Sequence, residues 1–245
     1  MNMSEALIEK ANLSQAWATA LRRIVDSPSK EMSPLVISLT DFEESGSIRS
    51  LLNKNLNDRK MDSIDTVAGT IFPAGIAALS KDRFELYREY LEVIPRIRKV
   101  DSRNRRGTYF ERLIAFDGSD NEKVNQIEII INSLQAGTIK RRSKLQASVF
   151  DPRVDHTDGP YQSFPCLQHV TFYKSENGGL VLNSFYAIQY LFQRAYGNWL
   201  GLINLGKFVA NETGLVLERF NCFVSIEQLD HLTKAEAKKF LRSIE

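Results

Sequence analysis

Cysteine is scarce in this chain. There are two, Cys166 and Cys222, in 245 residues. Two thiols allow one disulfide at most, which excludes a disulfide-stapled scaffold. With no basic and apolar leader in Met1 to Lys10, where Glu5 and Glu9 sit instead, a secretory signal is not expected. A cytoplasmic chain with both thiols reduced is the expectation. Histidine is also rare, with three residues, and neither a Cys-x-x-Cys nor a His-x-x-x-His spacing occurs. The ligand-type run Asp155-His156-Thr157-Asp158 precedes Gly159-Pro160 and reads as a loop, so no metal is expected. Long hydrophobic runs are missing, which excludes a membrane-spanning helix. An excess of one charge is missing too: 32 basic against 30 acidic residues leave a net charge of +2. Nothing there calls for bulk nucleic acid as a partner.

What is present is the balance of an ordinary globular domain, 43% hydrophobic and 25% charged. No linker divides it, so one domain over residues 1–245 is expected. Ser14 reads as the cap of a helix whose apolar positions are Trp17, Ala20, Leu21, Ile24 and Val25, stopped at Pro28. Leu35 to Leu39 reads as a buried strand and Ile48 to Leu56 as a short helix. Lys81 to Ile97 is a charged helix with Phe84, Tyr87, Leu91 and Ile94 on one face, followed by a basic loop from Arg96 to Arg106. Asn121 to Leu134 is another helix, with Gly137 as its stop. The second half changes period. Lys144 to Phe150, Cys166 to Tyr173 and Leu180 to Tyr186 are strands, the last two joined by a hairpin turn at Ser175 to Gly179. A long helix over Tyr190 to Thr213, an extended region over Leu215 to Glu227 and a terminal helix opened by Thr233 complete the chain. Mixed helices and strands with hairpins give an α+β domain with a mixed, antiparallel-rich sheet.

Three places carry chemistry. Arg141-Arg142 lies between a helix stop and a strand, where paired guanidinium forks suit a phosphate or form a solvated basic turn. Cys166 follows Pro165 at a strand start. Strand alternation points it with Gln168, Val170 and Phe172 and turns His169 away, so a local Cys-His dyad is not expected. It is a nucleophile or a small buried hydrophobe. Arg103, Arg105 and Arg106 read as a solvated cluster, and Tyr109 as a pocket or core tyrosine.

Ordered segments from about Thr70 to Glu227 resemble the thymidylate synthase and pyrimidine (dCMP) hydroxymethylase family. Gly107-Thr108-Tyr109-Phe110-Glu111-Arg112-Leu113 is similar to that family's glycine–tyrosine segment, and Asn125-Gln126-Ile127 to the start of its next helix. Arg141-Arg142, Phe150-Asp151-Pro152, Pro165-Cys166 and Asn198 follow in the family's order, while residues 1–69 diverge. The resemblance implies a three-layer α/β/α fold and a homodimer. It also implies a transferase acting at C5 of a pyrimidine nucleotide or a related derivative. Cys166 would be the nucleophile, Tyr109 a pocket residue, Asn198 the base reader, and Arg141 with Arg142 phosphate anchors donated in trans. Reduced folate is the cofactor it implies, and no metal.

The sequence departs from the family at several of its working positions. Leu167 stands where the family has histidine after the cysteine. Tyr186-Ala187-Ile188-Gln189-Tyr190 replaces the segment bearing a phosphate arginine and an aspartate. Phe220 to Ser225 lacks the His-x-Tyr pair that holds the sugar. An alternative reading therefore stands beside the enzyme: a catalytically degenerate nucleotide-binding or assembly module on the same dimeric fold.

Overall fold

The computed structural model describes residues 4–10, 12–119, 122–137, 141–159 and 165–244. Strand β1 (Ser4–Lys10) leads to helix α1 (Leu13–Asp26). Asn12, not Ser14, caps this helix, its side-chain oxygen accepting from the Gln15 N–H at 3.0 Å. Ser14 is instead buried, and its hydroxyl pairs with that of Tyr196 at 2.8 Å. Trp17, Ala20, Leu21 and Ile24 are sealed in the core, as their helical period requires. Strand β2 (Glu31–Leu39) begins four residues before the apolar run expected of it. Helices α2 (Gly46–Asp58), α3 (Ile64–Gly69) and the single turn α4 (Ala74–Ala77) follow.

Helix α5 (Arg83–Val100) is capped by Asp82 and runs through Pro95, so the basic loop shrinks to a 3-10 turn at Ser102–Arg106. Its buried stripe is Leu86, Tyr87, Tyr90 and Ile94. Phe84 and Leu91, expected inside, are 56% and 39% exposed. The stripe is rotated because Leu86, Tyr90 and Ile94 hold the i, i+4 line, while Phe84 lies under the Arg83 guanidinium at 4.6 Å. Next come α6 (Tyr109–Ile114) and the short paired strands β3 (Phe116–Asp117) and β4 (Lys123–Val124). Helix α7 (Gln126–Gln135) starts late, because the Asn125 side chain caps it by accepting from the Glu128 N–H. Asn121, the expected start, lies outside the described residues.

Strand β5 (Gln146–Ser148), the turn α8 (Pro152–Asp155), and the hairpin strands β6 (Leu167–Lys174) and β7 (Leu180–Tyr190) follow. Gly178, at φ +87°, makes the hairpin turn where an L side chain would be strained. The long helix opens as a π-helical turn, Leu191–Ala195, before α9 (Tyr196–Glu212). Strand β8 (Leu217–Gln228) and helix α10 (Lys234–Arg242) complete the chain, and Thr233 caps α10 in a capping box with Glu236.

Among the described residues six strands form one sheet in the order β1-β2-β8-β7-β6-β5. β1 with β2 and β7 with β8 run parallel, and the other three pairings are antiparallel. This is a mixed α+β fold. One sheet face buries Leu35, Ile37, Val170, Phe172, Leu182, Phe220 and Val224. Helices α1, α7 and α9 pack on the strands, α3 lies against α9, and α10 against α1. The helical layer expected across the opposite face is not found among the described residues. There the residues pair in rows, one running Leu7, Val36, Phe223, Phe185, His169. Leu7 is 58% and Phe223 38% exposed, which a covering helix would have prevented.

Helix α9 is buried on most sides, and two glycines let a second helix reach it. A Cβ on Gly197 would sit 2.7 Å from Val67 Cβ, and one on Gly201 2.7 Å from the Ala68 carbonyl. The four-residue spacing puts both on one face, so α3 lies directly on the α9 backbone. That contact forms one wall of the cavity described next.

Candidate active site

Helices α3, α6 and α9, the end of β7 and the turn before β6 enclose a cavity of about 280 Å³. Tyr109 enters it from the start of α6. Gly107, at φ +100°, turns the chain, and Thr108 then caps α6, with its side chain on the Glu111 N–H and Glu111 returning to the Thr108 N–H. The Tyr90 hydroxyl bonds Thr108 Oγ1 at 2.6 Å and ties this cap to α5. The Tyr109 hydroxyl is hydrogen-bonded to the backbone at Cys166 and Leu167. Its burial raises its pKa.

Cys166 lies one residue before β6 and is half-buried. Its carbonyl accepts from the Ala187 N–H at 3.0 Å and from Gln168 Nε2 at 3.3 Å, which fixes the turn against β7. The register shifts between Leu167 and His169, so the side chains beyond it settle with Val170 and Phe172 inward. His169 stacks on Phe185 across the open face, ring centroids 6.0 Å apart. Among the described residues Cys166 and His169 form no dyad, and it is this register shift, not the regular alternation expected from Cys166 onward, that sets the face of His169. Burial pushes the Cys166 thiol up, and the Arg194 guanidinium pulls it back down.

Arg194 belongs to the π-helical turn. The Asp230 carboxylate holds that turn by accepting from the Phe192 and Gln193 N–H groups at 2.8 and 3.2 Å. From the other side the Trp17 indole N–H bonds the Leu191 carbonyl at 2.9 Å. Arg194 pairs with Asp62 at 3.0 Å, Asp62 with Arg103 at 3.0 Å, and Arg103 with Asp101 at 2.7 Å. Two cations and two carboxylates thus lie in one chain of pairs beside the thiol. Deeper, Asn198 in the first turn of α9 and Gln189 near the end of β7 line the cavity, 5% and 2% exposed.

The cavity therefore brings together three residues picked out by their order in the sequence, Cys166, Tyr109 and Asn198. Arg141 and Arg142 are not with them. Both are exposed, and Arg142 opens a 3-10 turn beside the outer strand β5, next to a separate depression with Tyr173. Asp155, from the ligand-type run, is buried in an ion pair with Arg112. Among the described residues no group of three His, Cys, Asp or Glu is placed to hold a metal, and no helix is long and apolar enough to cross a membrane.

No family model matches the chain. A curated protein is similar to part of it. It is named "Putative thymidylate synthase", from Methanocaldococcus jannaschii, and is 32% identical over 109 residues. The match covers 44% of this chain and 47% of that protein, so it spans about half of the relative's length. The similarity supports a thymidylate synthase-like relationship and does not reach individual residues.

Sequence reasoning missed Arg194, Gln189 and the two aspartates, and read Arg103 as solvated. Arg194 carried a signal: it stands four residues before Asn198 in a segment expected to be helical, which places both on one face. Gln189 carried none, since a glutamine near a strand end is unremarkable until its surroundings are known.

Proposed function

We propose that this protein is a thymidylate synthase-like transferase acting at C5 of a pyrimidine nucleotide or a related derivative. The observation that supports it best is the convergence of Cys166, Tyr109 and Asn198 in one cavity from three separate elements. In this reading the Cys166 thiolate adds to C6 of the ring, which makes C5 nucleophilic toward a one-carbon electrophile. Arg194 favours the thiolate. Asn198 hydrogen-bonds the ring edge, and Tyr109 fixes the turn that carries the thiol.

The phosphate anchor is the pair Arg141 and Arg142 of a second copy. Both stand at the sheet margin outside the cavity of their own chain, and the open sheet face offers the surface for a homodimer. A reduced folate does not fit these residues. At about 280 Å³ the cavity lies near the lower end of ligand-pocket sizes, room for one nucleoside-sized ligand without a pteridine stacked above it. Tyr190, 39% exposed, brings no carboxylate to hold one.

A folate-free assay tests the chemistry. Addition at C6 suffices to release bromide from 5-bromo-2′-deoxyuridine monophosphate when a small thiol is present to take up the bromine. Bromide release by the wild type, abolished in Cys166→Ala, is the expected result. Binding of the nucleotide with no bromide release would instead favour the degenerate binding module. One observation favours that second reading: burial, the larger effect on the Cys166 thiol, acts against the thiolate.

A further inference from the structure

Gln189 is 2% exposed, lines the cavity, and has neither its amide nitrogen nor its amide oxygen hydrogen-bonded within the described residues. Buried carboxamides without partners are rare, because two donors and two acceptors have been taken from water for nothing in return. Asn198 lines the same cavity, and no hydrogen bond ties its side chain to the described residues. The neighbour of Gln189 on the adjoining strand is Glu227, its register partner, fully buried with both carboxyl oxygens unpartnered among the described residues. The buried part of the cavity wall thus carries the carboxamides of Gln189 and Asn198 with no partner among the described residues, and Glu227 stands beside Gln189. Among the described residues the cations on its wall are Arg103 and Arg194, whose side chains are 59% and 29% exposed and lie in ion pairs with Asp62 and Asp101.

We infer that Gln189 is a specificity-determining residue whose carboxamide hydrogen-bonds an uncharged polar group of the ligand, a ring carbonyl or a sugar hydroxyl. The inference rests on the pyrimidine reading above and adds an orientation to it. A carboxamide offers neutral hydrogen bonds, and no counter-charge stands beside it. An anion is excluded from this buried part, so the nucleoside part enters first and any phosphate stays by the more exposed arginines. Burial holds the Glu227 carboxyl well above the ordinary carboxylate range, which keeps a negative charge from forming behind Gln189.

Gln189→Met tests this, because methionine matches the shape and removes the hydrogen bonds. In the ligand-free protein the variant should melt about 2–4 °C higher than the wild type, since buried groups without partners have been removed. Calorimetry should then show deoxyuridine and deoxyuridine monophosphate both binding about ten-fold more weakly, the size of one lost hydrogen bond. A lower melting temperature with unchanged affinity would make the glutamine structural and overturn the inference. Weakening of the monophosphate alone would place Gln189 at the phosphate and overturn the orientation. The two probes extended by free uracil separate the sources: a loss shared by uracil assigns the carbonyl, and a loss confined to the nucleosides assigns the sugar. Should Gln189→Met not fold, Gln189→Asn withdraws the amide by one methylene, and undiminished affinity there would equally sink the idea. A wild type that binds none of these probes refutes the pyrimidine reading instead, and a Gln189→Met melting temperature that then fails to rise would show the amide to be partnered within the protein and overturn the inference as well.

Discussion

At Cys166 two effects oppose each other. Loss of water raises the thiol pKa, and the Arg194 charge lowers it. Removing the charge leaves burial alone, so Arg194→Met should move the pH profile of Cys166 alkylation to higher pH. Iodoacetamide labelling followed by mass spectrometry measures this, and an unmoved profile would mean that Asp62 already cancels the guanidinium. Glu227 gives a second prediction of residue scale. Below about pH 4.3 folded and unfolded chains both hold its proton. Above that the unfolded chain ionises, while the buried carboxyl does not. The folded state therefore loses about 1.4 kcal/mol per pH unit until the folded pKa is reached. Glu227→Gln removes that loss. Urea unfolding should show the variant gaining on the wild type as pH rises above about 4.3, and a constant difference would reveal a partner for the carboxyl.

Among the elements, the seam between α3 and α9 is the most sensitive. A methyl group on Gly201 would press on the Ala68 carbonyl and on Ile71 Cβ at 2.7 and 2.9 Å. Both sites are backbone or branch points, so neither can yield by turning a side chain. Gly201→Ala should cost about 1–3 kcal/mol in chemical denaturation and should weaken ligand binding as well, because Thr66 of α3 and Thr70 just beyond its end stand on the cavity wall. Element existence was legible from periodicity, and boundaries much less so. Asn12 displaced Ser14 as a cap because the Ser14 hydroxyl is used by Tyr196, a partner 182 residues away. The stripe of α5 was misjudged because Phe84 is covered by a guanidinium instead of the core. Cys166, Tyr109 and Asn198 were legible from their order along the chain. Arg194 and Gln189 were not, since their roles arise from a π-helical turn and a strand end whose neighbours come from elsewhere in the sequence.

The open sheet face and the misplaced arginine pair belong to the scale of the whole molecule, and one experiment joins them. Chains carrying Cys166→Ala and chains carrying Arg141→Ala with Arg142→Ala should each fail to release bromide. Mixed after unfolding, they should recover about a quarter of wild-type activity, because half the dimers then hold one intact site of two. No recovery would assign the arginines to their own chain or to no site. Phe223→Lys, in the centre of the exposed row, should give monomers in sedimentation while leaving the thermal unfolding of the single chain largely unchanged.

Strand β8 is made late in the chain and yet lies in the middle of the sheet, between β2 and β7. During synthesis the chain must therefore wait with two separate half-sheets, the early β1–β2 pair and the later β5–β6–β7 ladder. Each exposes a hydrogen-bonding edge until Leu217 to Gln228 leaves the ribosome and closes the gap. The β2–β8 pairing, with Glu31 opposite Gln228, spans most of the sequence, which makes assembly slow and leaves the nascent protein prone to sticking to other chains. A ribosome stalled just before residue 217 should hold a chain that binds chaperones and is cut readily by protease, whereas one stalled well beyond residue 228 should not.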